Sequence, residues 1–267
     1  MLETDALGRE HEFSAPPARI VSLVPSWTEA LFALGLDAEI VGVTDFCVHP
    51  AARVARVTRV GGTKNPDVAA IAALRPDLVI ANKEENRRRD VERLEAAGLR
   101  VFVTYPRTVA GALGELRALG RIVARAGPAD SIGREVESLL YALARRAPSR
   151  RPRAVALVWR DPLMVVGGDT FASDLIACAG AENPFAGSGA ERYPRVDARA
   201  LEAAAPDVLL LPTEPYRFED ADRRELLELA CPAARSGRVH IIEGELLSWY
   251  GPRVPRALAT LAELFSD

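Results

Sequence analysis

The sequence predicts an α/β protein of two lobes, each built on a mostly parallel central sheet flanked by helices and joined by a long rigid helix. Three observations carry this. Short apolar runs of strand length recur with stretches of helical period between them, the pattern of βα units. One phrase occurs in each half: IAALRPDLVIAN (71–82) and LEAAAPDVLLLP (201–212) share a helix end, Pro-Asp and an apolar strand, a weak internal symmetry of one unit per lobe. Between the halves, residues 108–147 keep helical spacing where a flexible linker would be rich in Gly and Ser. The expected division is an N-terminal lobe over 1–107, a helical bridge over 108–150 and a C-terminal lobe over 151–267.

In the first lobe, strands are expected at Ile20–Val24, Ile40–Val43, Leu78–Ala81 and Val101–Val103. Helices are expected from Thr28 to Leu34, stopped by Gly35; from Pro66 to Leu74, ended before Pro76; and from Asn86 to Ala97, stopped by Gly98. In the bridge, Leu113, Leu116, Leu119, Ile122 and Val123 form one stripe, Gly127-Pro128 breaks it, and Ile132, Val136, Leu139, Leu140 and Leu143 carry a second helix to Ala147 and the basic segment PSRRPR. The second lobe is expected to place strands at Ala154–Val158, Val165–Val166, Val208–Leu211 and Val239–Ile242. Its helices are expected at Phe171–Ala179, Ala198–Ala204 and Pro255–Phe265.

The net charge of −3 gives no reason to expect nucleic acid or an anionic membrane as partner. Only Lys64 and Lys83 among the 34 basic residues are Lys, a skew that weakens arginine frequency as a functional signal. Cys47, Cys178 and Cys231 are widely spaced with no CxxC pair, which fits reduced thiols and argues against a disulfide framework or structural zinc. No apolar run reaches 18 residues, and the first residues, MLETDALGREHEF, carry early acids and no apolar core of a signal peptide. The expectation is a cytoplasmic monomer; a start upstream of Met1 would make it periplasmic or cell-surface.

Ligands of open α/β sheets bind beyond the carboxyl ends of the strands. Those positions here are PSWT (25–28), TDFCVHP (44–50), GGTKNPD (61–67), NKEEN (82–86) and TYPRT (104–108), then WRDP (159–162), ERYPR (191–195), PTEPYRF (212–218) and EGELLSWYGPR (243–253). They hold Tyr105, Tyr193, Tyr216 and Tyr250 with Trp159 and Trp249, accompanied by Arg107, Arg160, Arg195, Arg217 and Arg253. Aromatics with a few polar groups on the rims of two lobes describe a cleft for a large, flat or partly apolar ligand. Phe46, Tyr105, Trp159, Tyr193, Tyr216, Trp249 and Tyr250 are expected to supply flat surface. Arg195 and Arg253 are expected to pair with carboxylates, amides or phosphate of the ligand, and Lys64 and Asn82 to give polar contacts from the first lobe.

In TDFCVHP, Asp45, Cys47 and His49 share a side only if the loop is extended, and no second Cys/His set supports a zinc site. His11 and His240 read as structural. Gly61-Gly62 and Gly167-Gly168 match neither GxGxxG nor GxxxxGK[ST], and Asp169 or Thr170 reads as a helix cap. Glu84, Glu85, Glu243 and Glu245 are the carboxylates an enzyme would use, but no GxSxG, HExxH or Cys-His arrangement accompanies them. No catalytic residue, cofactor or resident metal is expected.

Several phrases, in order, carry a resemblance: RIVSLVPSWTEALFALGL, VGVT with a loop ending in Pro50, ALRPDLVIA, LEAAGLRVFV, DLIACAGAENPF, ALEAAAPDVLLL and WYGPRVPRAL. From about Asp5 onward the chain resembles the helical-backbone (class III) substrate-binding proteins of ABC importers, nearest the vitamin B12, iron-siderophore and haem branch. The resemblance implies non-catalytic binding of a corrinoid, haem or ferric siderophore between two lobes with modest closure. It makes TDFCVHP a pocket wall with Phe46 facing the ligand and puts Thr63 where the B12-binding branch carries an aromatic; Arg160, read from its place after a strand, is also expected to contact the ligand. Within a bound macrocycle, His49 becomes the candidate axial ligand of iron or cobalt. The family's permease-docking glutamates fall at Ala69 and Arg199, so both docking carboxylates are absent. The alternative is a repurposed cytoplasmic member, an enzyme or protein-interaction module using the same cleft.

Overall fold

The computed structural model describes residues 1–146, 150–187 and 191–266. In chain order the elements are β1 (Leu2–Thr4), β2 (Glu10–Glu12), β3 (Ile20–Ser22), α1 (Pro25–Ala33), β4 (Ile40–Val43), α2 (Ala51–Val54), β5 (Thr58–Arg59), β6 (Gly61–Gly62), β7 (Asn65–Pro66), α3 (Val68–Ala73), β8 (Leu78–Asn82), α4 (Arg88–Ala96) and β9 (Val101–Thr104). Then come α5 (Val109–Ile122), α6 (Ala126–Arg145), β10 (Ala154–Trp159), β11 (Met164–Val165), α7 (Phe171–Cys178), α8 (Ala198–Ala203), β12 (Val208–Pro212), α9 (Asp220–Leu226), α10 (Pro232–Ser236), β13 (Val239–Ile242), α11 (Glu245–Ser248), a 3-10 turn at Gly251–Arg253 and α12 (Val254–Ser266). Among the described residues no helix is long and apolar enough to cross a membrane.

The chain divides into two compact units. The first comprises Met1–Pro106, Ala110–Arg134 and Tyr250–Pro252; the second comprises Arg107–Val109, Glu135–Trp249 and the chain from Arg253 onward. The first unit holds a five-stranded parallel sheet in the order β5-β4-β3-β8-β9. The second holds the order β11-β10-β12-β13, parallel except for the antiparallel β11. All five residues of β8 and all five of β12 are buried, as helices on both faces of a parallel sheet require. Val79 and Ala81 join Val21, Ile71 and Leu94 in one core; Leu209 and Leu211 join Val155, Leu201 and Phe218 in the other.

The repeated phrase is a repeated structure. In each unit an Asp caps a short helix: Asp67 accepts from the Ala70 N–H on α3, and Asp197 accepts from the Ala200 N–H on α8. The residue before each Pro, Arg75 or Ala205, leaves the helix at positive φ (47° and 44°). The next Asp then fixes the entry to the strand. Asp77 accepts the N–H groups of Ala18 and Arg19 at 2.9 Å, while the Asp77 N–H donates to the Arg19 carbonyl. Asp207 accepts the Arg153 N–H at 2.8 Å, and its own N–H donates to the Arg153 carbonyl.

Two expectations are corrected. The connector is two consecutive helices, α5 and α6, and the break falls before Gly127-Pro128, at Val123–Arg125, where Ala124 has φ of 53°. Pro128 lies in the first turn of α6, where its missing N–H would have no partner within the helix. Helix α1 starts at Pro25, ahead of Thr28, for the same reason. The expected helix end at Ala147 and the first two residues of PSRRPR lie outside the described residues.

The N-terminal hairpin, unread in the sequence, pairs β1 with β2 and places the buried Asp5 in its turn. Asp5 accepts from the N–H groups of Leu7 and Arg9 and from the Arg9 guanidinium. Burial alone would raise its pKa, but these bonds together with that to His11 hold the carboxyl below the usual range. At the outer side of β9, the Ala6 N–H donates to the Val103 carbonyl and the Arg9 guanidinium donates to the Val101 carbonyl at 3.1 Å.

The two helix caps are independent tests of the repeat. Asp67→Ala and Asp197→Ala should each lower stability by about 1 kcal/mol in chemical denaturation, with the loss restored by Asn or Ser at the same position.

Candidate functional site

In the first sheet the strand order reverses direction between β3 and β8, the place where open α/β sheets form a crevice beyond their carboxyl ends. Buried amides stitch it together. The Asn86 side chain donates to the Thr63 carbonyl at 2.9 Å and to the Leu23 carbonyl at 3.3 Å, while its oxygen accepts the Asn82 N–H. Asn82 accepts the Glu84 and Glu85 N–H groups and donates to Thr104 Oγ1, which also accepts Trp27 Nε1 at 2.9 Å. The side chain of Asn82, expected as a ligand contact, is thus engaged inside the unit at 1% exposure, where it shapes the 82–86 turn.

The TDFCVHP loop is pinned from below. The Arg59 guanidinium donates to the carbonyls of Thr44 and Cys47 at 2.6 and 2.8 Å, and the Asp45 N–H donates to the Gly61 carbonyl. Cys47 turns fully inward between the hydroxyls of Thr28 and Thr44, each 3.1 Å from Sγ, and burial pushes its thiol pKa up. Asp45 stays exposed and His49 is half-buried, so the three do not share a face. Among the described residues no group of three or more His, Cys, Asp or Glu is placed to hold a metal ion. Phe46 is 60% exposed beside Gly62, where a Cβ would stand 3.3 Å from its ring. Thr63 is half-buried; Lys64 reaches the Glu84 carbonyl at 2.6 Å, tying the two loops together.

Tyr105 is half-buried with Lys83 Nζ 4.9 Å from its ring centroid. Its N–H donates to Glu115 Oε1 on α5 at 2.8 Å, whereas Glu115 Oε2 is buried without a hydrogen-bond partner among the described residues. Burial pushes the Glu115 carboxyl up to about 7 against the lowering effect of the Tyr105 N–H. Tyr250 is 4% exposed and packs in the first unit with its ring 5.5 Å from that of Trp27. Two concavities of about 470 and 460 Å³ lie beside the N-terminal hairpin, away from these loops; Glu115, Gly111, Gly114 and Ala118 line the second.

In the second unit, Trp159 is 42% exposed at the end of β10, with Nε1 donating to the Asp161 carbonyl. Its ring meets Tyr216 edge-on at 5.7 Å, and Tyr216 meets the buried Phe218 edge-on at 4.8 Å, a continuous aromatic surface running into the core. Arg160, expected at the ligand, is held by Glu225 and by Asp222 at 3.4 Å. The Glu225 hydrogen bond, partly opposed by burial, raises its pKa. Tyr193 lies under Arg192, 5.8 Å from its ring centroid. Arg195 is exposed beside β11, bridged through its backbone to Met164. Trp249 is 5% exposed, with the Arg253 guanidinium 4.9 Å from its ring centroid. The helix cap expected at Asp169 or Thr170 is Thr170; Asp169 has φ of 54° and pairs with Arg107 at 2.8 Å.

Sequence reading passed over Glu214, two residues beyond β12. Its Oε1 accepts both Ser248 Oγ at 2.7 Å and Trp249 Nε1 at 3.0 Å. Burial raises its pKa, Glu245 raises it further, and the bonds from Ser248 and Trp249 and the charge of Arg253 oppose the shift. A carboxylate at a strand end between Thr213 and Pro215 was the available signal.

A profile of the family described as "Periplasmic binding protein" matches residues 20–246. The vitamin B12-binding protein of Vibrio parahaemolyticus serotype O3:K6 is 25% identical over 255 residues, covering 94% of this chain and 90% of that protein. A periplasmic heme-binding protein from Roseiflexus sp. RS-1, solved in apo form, is 28% identical with a TM-score of 0.80, over 93% of this chain and 98% of the other. A periplasmic heme-binding protein from Pseudomonas aeruginosa is 26% identical with a TM-score of 0.78, over 93% and 92%.

The titration of Glu115 gives a measurable pH dependence. Its folded pKa lies above the ordinary 4.5, so between about 4.5 and 7 the folded chain holds a proton that the unfolded chain has lost. Stability should therefore fall as pH rises through that window and level off above it, by on the order of 2 kcal/mol after solvent screening. Glu115→Gln should flatten that part of the curve, read by denaturant unfolding at several pH values.

Proposed function

The chain belongs to the periplasmic binding protein family, and on that premise we propose that it binds, without catalysis, a large, flat or metal-chelate small molecule of the corrinoid, haem or ferric siderophore class. The observation that carries this reading is the aromatic surface from exposed Trp159 through Tyr216 to Phe218, set beside fixed polar groups at the carboxyl end of a parallel sheet. Vitamin B12 and haem, the molecules named for the relatives, are both planar metal chelates that suit such a surface. On the first unit, Phe46, Tyr105, Thr63 and Lys64 are the proposed contacts, with His49 as the axial ligand of the bound metal. On the second, Trp159, Tyr193, Arg195, Tyr216 and Arg253 are the proposed contacts, while the buried Trp249 acts through its bond to Glu214. In this reading residues 108–150 connect two ligand-contacting parts, 1–107 and 151–267.

Transport partnership is a separate part of the proposal. The positions that the resemblance assigns to docking glutamates are the exposed Ala69 on α3 and Arg199 on α8, each the second residue of its helix after the Asp cap. A methyl group and a positive charge there do not attract the arginines of a permease, and like charges facing one another repel it. We therefore expect no tight docking. Capture of an ABC permease by the wild-type chain, weakened in Arg199→Ala, would overturn this part.

Tryptophan-fluorescence titration with cobalamin, cobinamide, haemin and a ferric siderophore tests the binding function. Saturable quenching by one of them is expected, with Trp159→Phe weakening it roughly fivefold, the scale of one aromatic contact. Trp249→Phe should change it through the loss of its bond to Glu214. His49→Ala should alter the absorption spectrum of the loaded protein. No quenching by any of the four would sink the reading.

A further inference from the structure

The Glu214 carboxylate occupies a built position. Glycine at 244 makes room for it: a Cβ there would stand 2.2 Å from Glu214 Cγ and 2.6 Å from its backbone nitrogen, closer than side chains tolerate. The Gly244 N–H is itself fixed by Thr213 Oγ1 at 3.0 Å. One carboxylate oxygen is then tied down by two donors on the α11 side, Ser248 and Trp249. The other, Oε2, has no hydrogen-bond partner among the described residues, and Glu214 is partly exposed. This is an acceptor held still before any ligand arrives, two residues from the Tyr216 ring of the aromatic surface.

The charges around it have definite signs. Glu245, one residue past Gly244, adds a second carboxylate whose field acts on Glu214. Glu243 is neutralised by Arg256 at 2.6 Å. Arg253 is the opposing cation and lies against the Trp249 ring. The position therefore offers a fixed hydrogen-bond acceptor with a second carboxylate, Glu245, acting on it.

We propose that Glu214 selects, within the ligand class inferred above, for a planar chelate whose rim carries hydrogen-bond donors such as primary amides, and against one whose rim carries carboxylates. The inference rests on that binding function and narrows it. An amide N–H on the ligand rim donates to the second oxygen of Glu214. A rim carboxylate meets Glu214 and Glu245 with like charge and leaves the fixed acceptor without a partner, which costs more than a missing contact on an apolar wall. Arg195 stands apart at β11 and serves any remaining anionic group.

The experiment compares cobinamide, whose rim is amides, with haemin, whose rim is two carboxylates, on the wild-type chain and on Glu214→Gln, by calorimetric or fluorescence titration. Gln keeps the side-chain shape and an oxygen for Ser248 and Trp249 while removing the charge. The expected result is tighter binding of cobinamide than haemin by the wild type, a roughly tenfold loss of cobinamide affinity in Glu214→Gln, and haemin affinity unchanged or improved. Equal losses for both ligands would show that Glu214 only supports the loop and would overturn the inference. So would a wild type that prefers haemin, with a preference Glu214→Gln leaves alone; binding itself would then stand. Failure to bind cobinamide, haemin and the ferric siderophore alike would remove the binding function and this inference with it. A thermal melt of Glu214→Gln separates any folding defect from a change in selectivity.

Discussion

The geometry of both units depends on how the chain enters the central strands β8 and β12. A parallel strand buried on both faces has no solvent side to signal its register, so something at its start must set it. In each unit that is the Asp after the helix-ending Pro, which exchanges hydrogen bonds with the backbone just ahead of the neighbouring strand: Asp77 with Ala18 and Arg19, Asp207 with Arg153. Once Leu78 is paired with Ile20 and Val208 with Ala154, the far ends of the strands are fixed. Asn82 then emerges where it can hold the 82–86 turn, and Glu214 emerges two residues past Pro212 where Gly244 can receive it. The loops inherit their positions from contacts made at the opposite end of the strands.

The central strands were legible because they are continuous apolar runs bounded by Pro, Asp or Gly, and both copies of the phrase could be read against each other. The short helices α9 and α10 were not, since a charged stretch such as DADRREL has one buried apolar residue, Leu226, and no stripe to count. The N-terminal hairpin was hidden for a similar reason: its strands have no buried residue, and what holds it is the polar cluster at Asp5. At the site, the residue types on each loop could be read, but their directions could not. Cys47 turns inward because two hydroxyls, 19 and 3 residues away in sequence, meet its sulfur. Trp249 is buried because Glu214, 35 residues earlier, accepts its indole N–H. Partners that far apart leave no local pattern.

The arginines show why abundance misleads. The planar guanidinium carries several fixed donors and suits paired carbonyls as well as ligand carboxylates. Arg19 donates twice to the Leu74 carbonyl, Arg59 spans two carbonyls of the Phe46 loop, and Arg238 reaches the Leu264 carbonyl at 2.7 Å. Arg160 is committed to two acids. These arginines are mortar between loops, helix ends and acids rather than groups waiting for a ligand.

The same chemistry closes the sheets at their sides. On the outer strand β9, the carbonyls of Val101 and Val103 accept from Arg9 and Ala6, and on the outer strand β13 the Val239 carbonyl accepts Arg223 Nε at 2.7 Å. The opposite edges, β5 and β11, are two residues long. An open strand edge is a template on which another chain can add a strand, the first step toward insoluble assemblies. A small polar hairpin and two arginines thus occupy part of the two longer edges, and the other two edges are too short to offer a foreign backbone much to pair with.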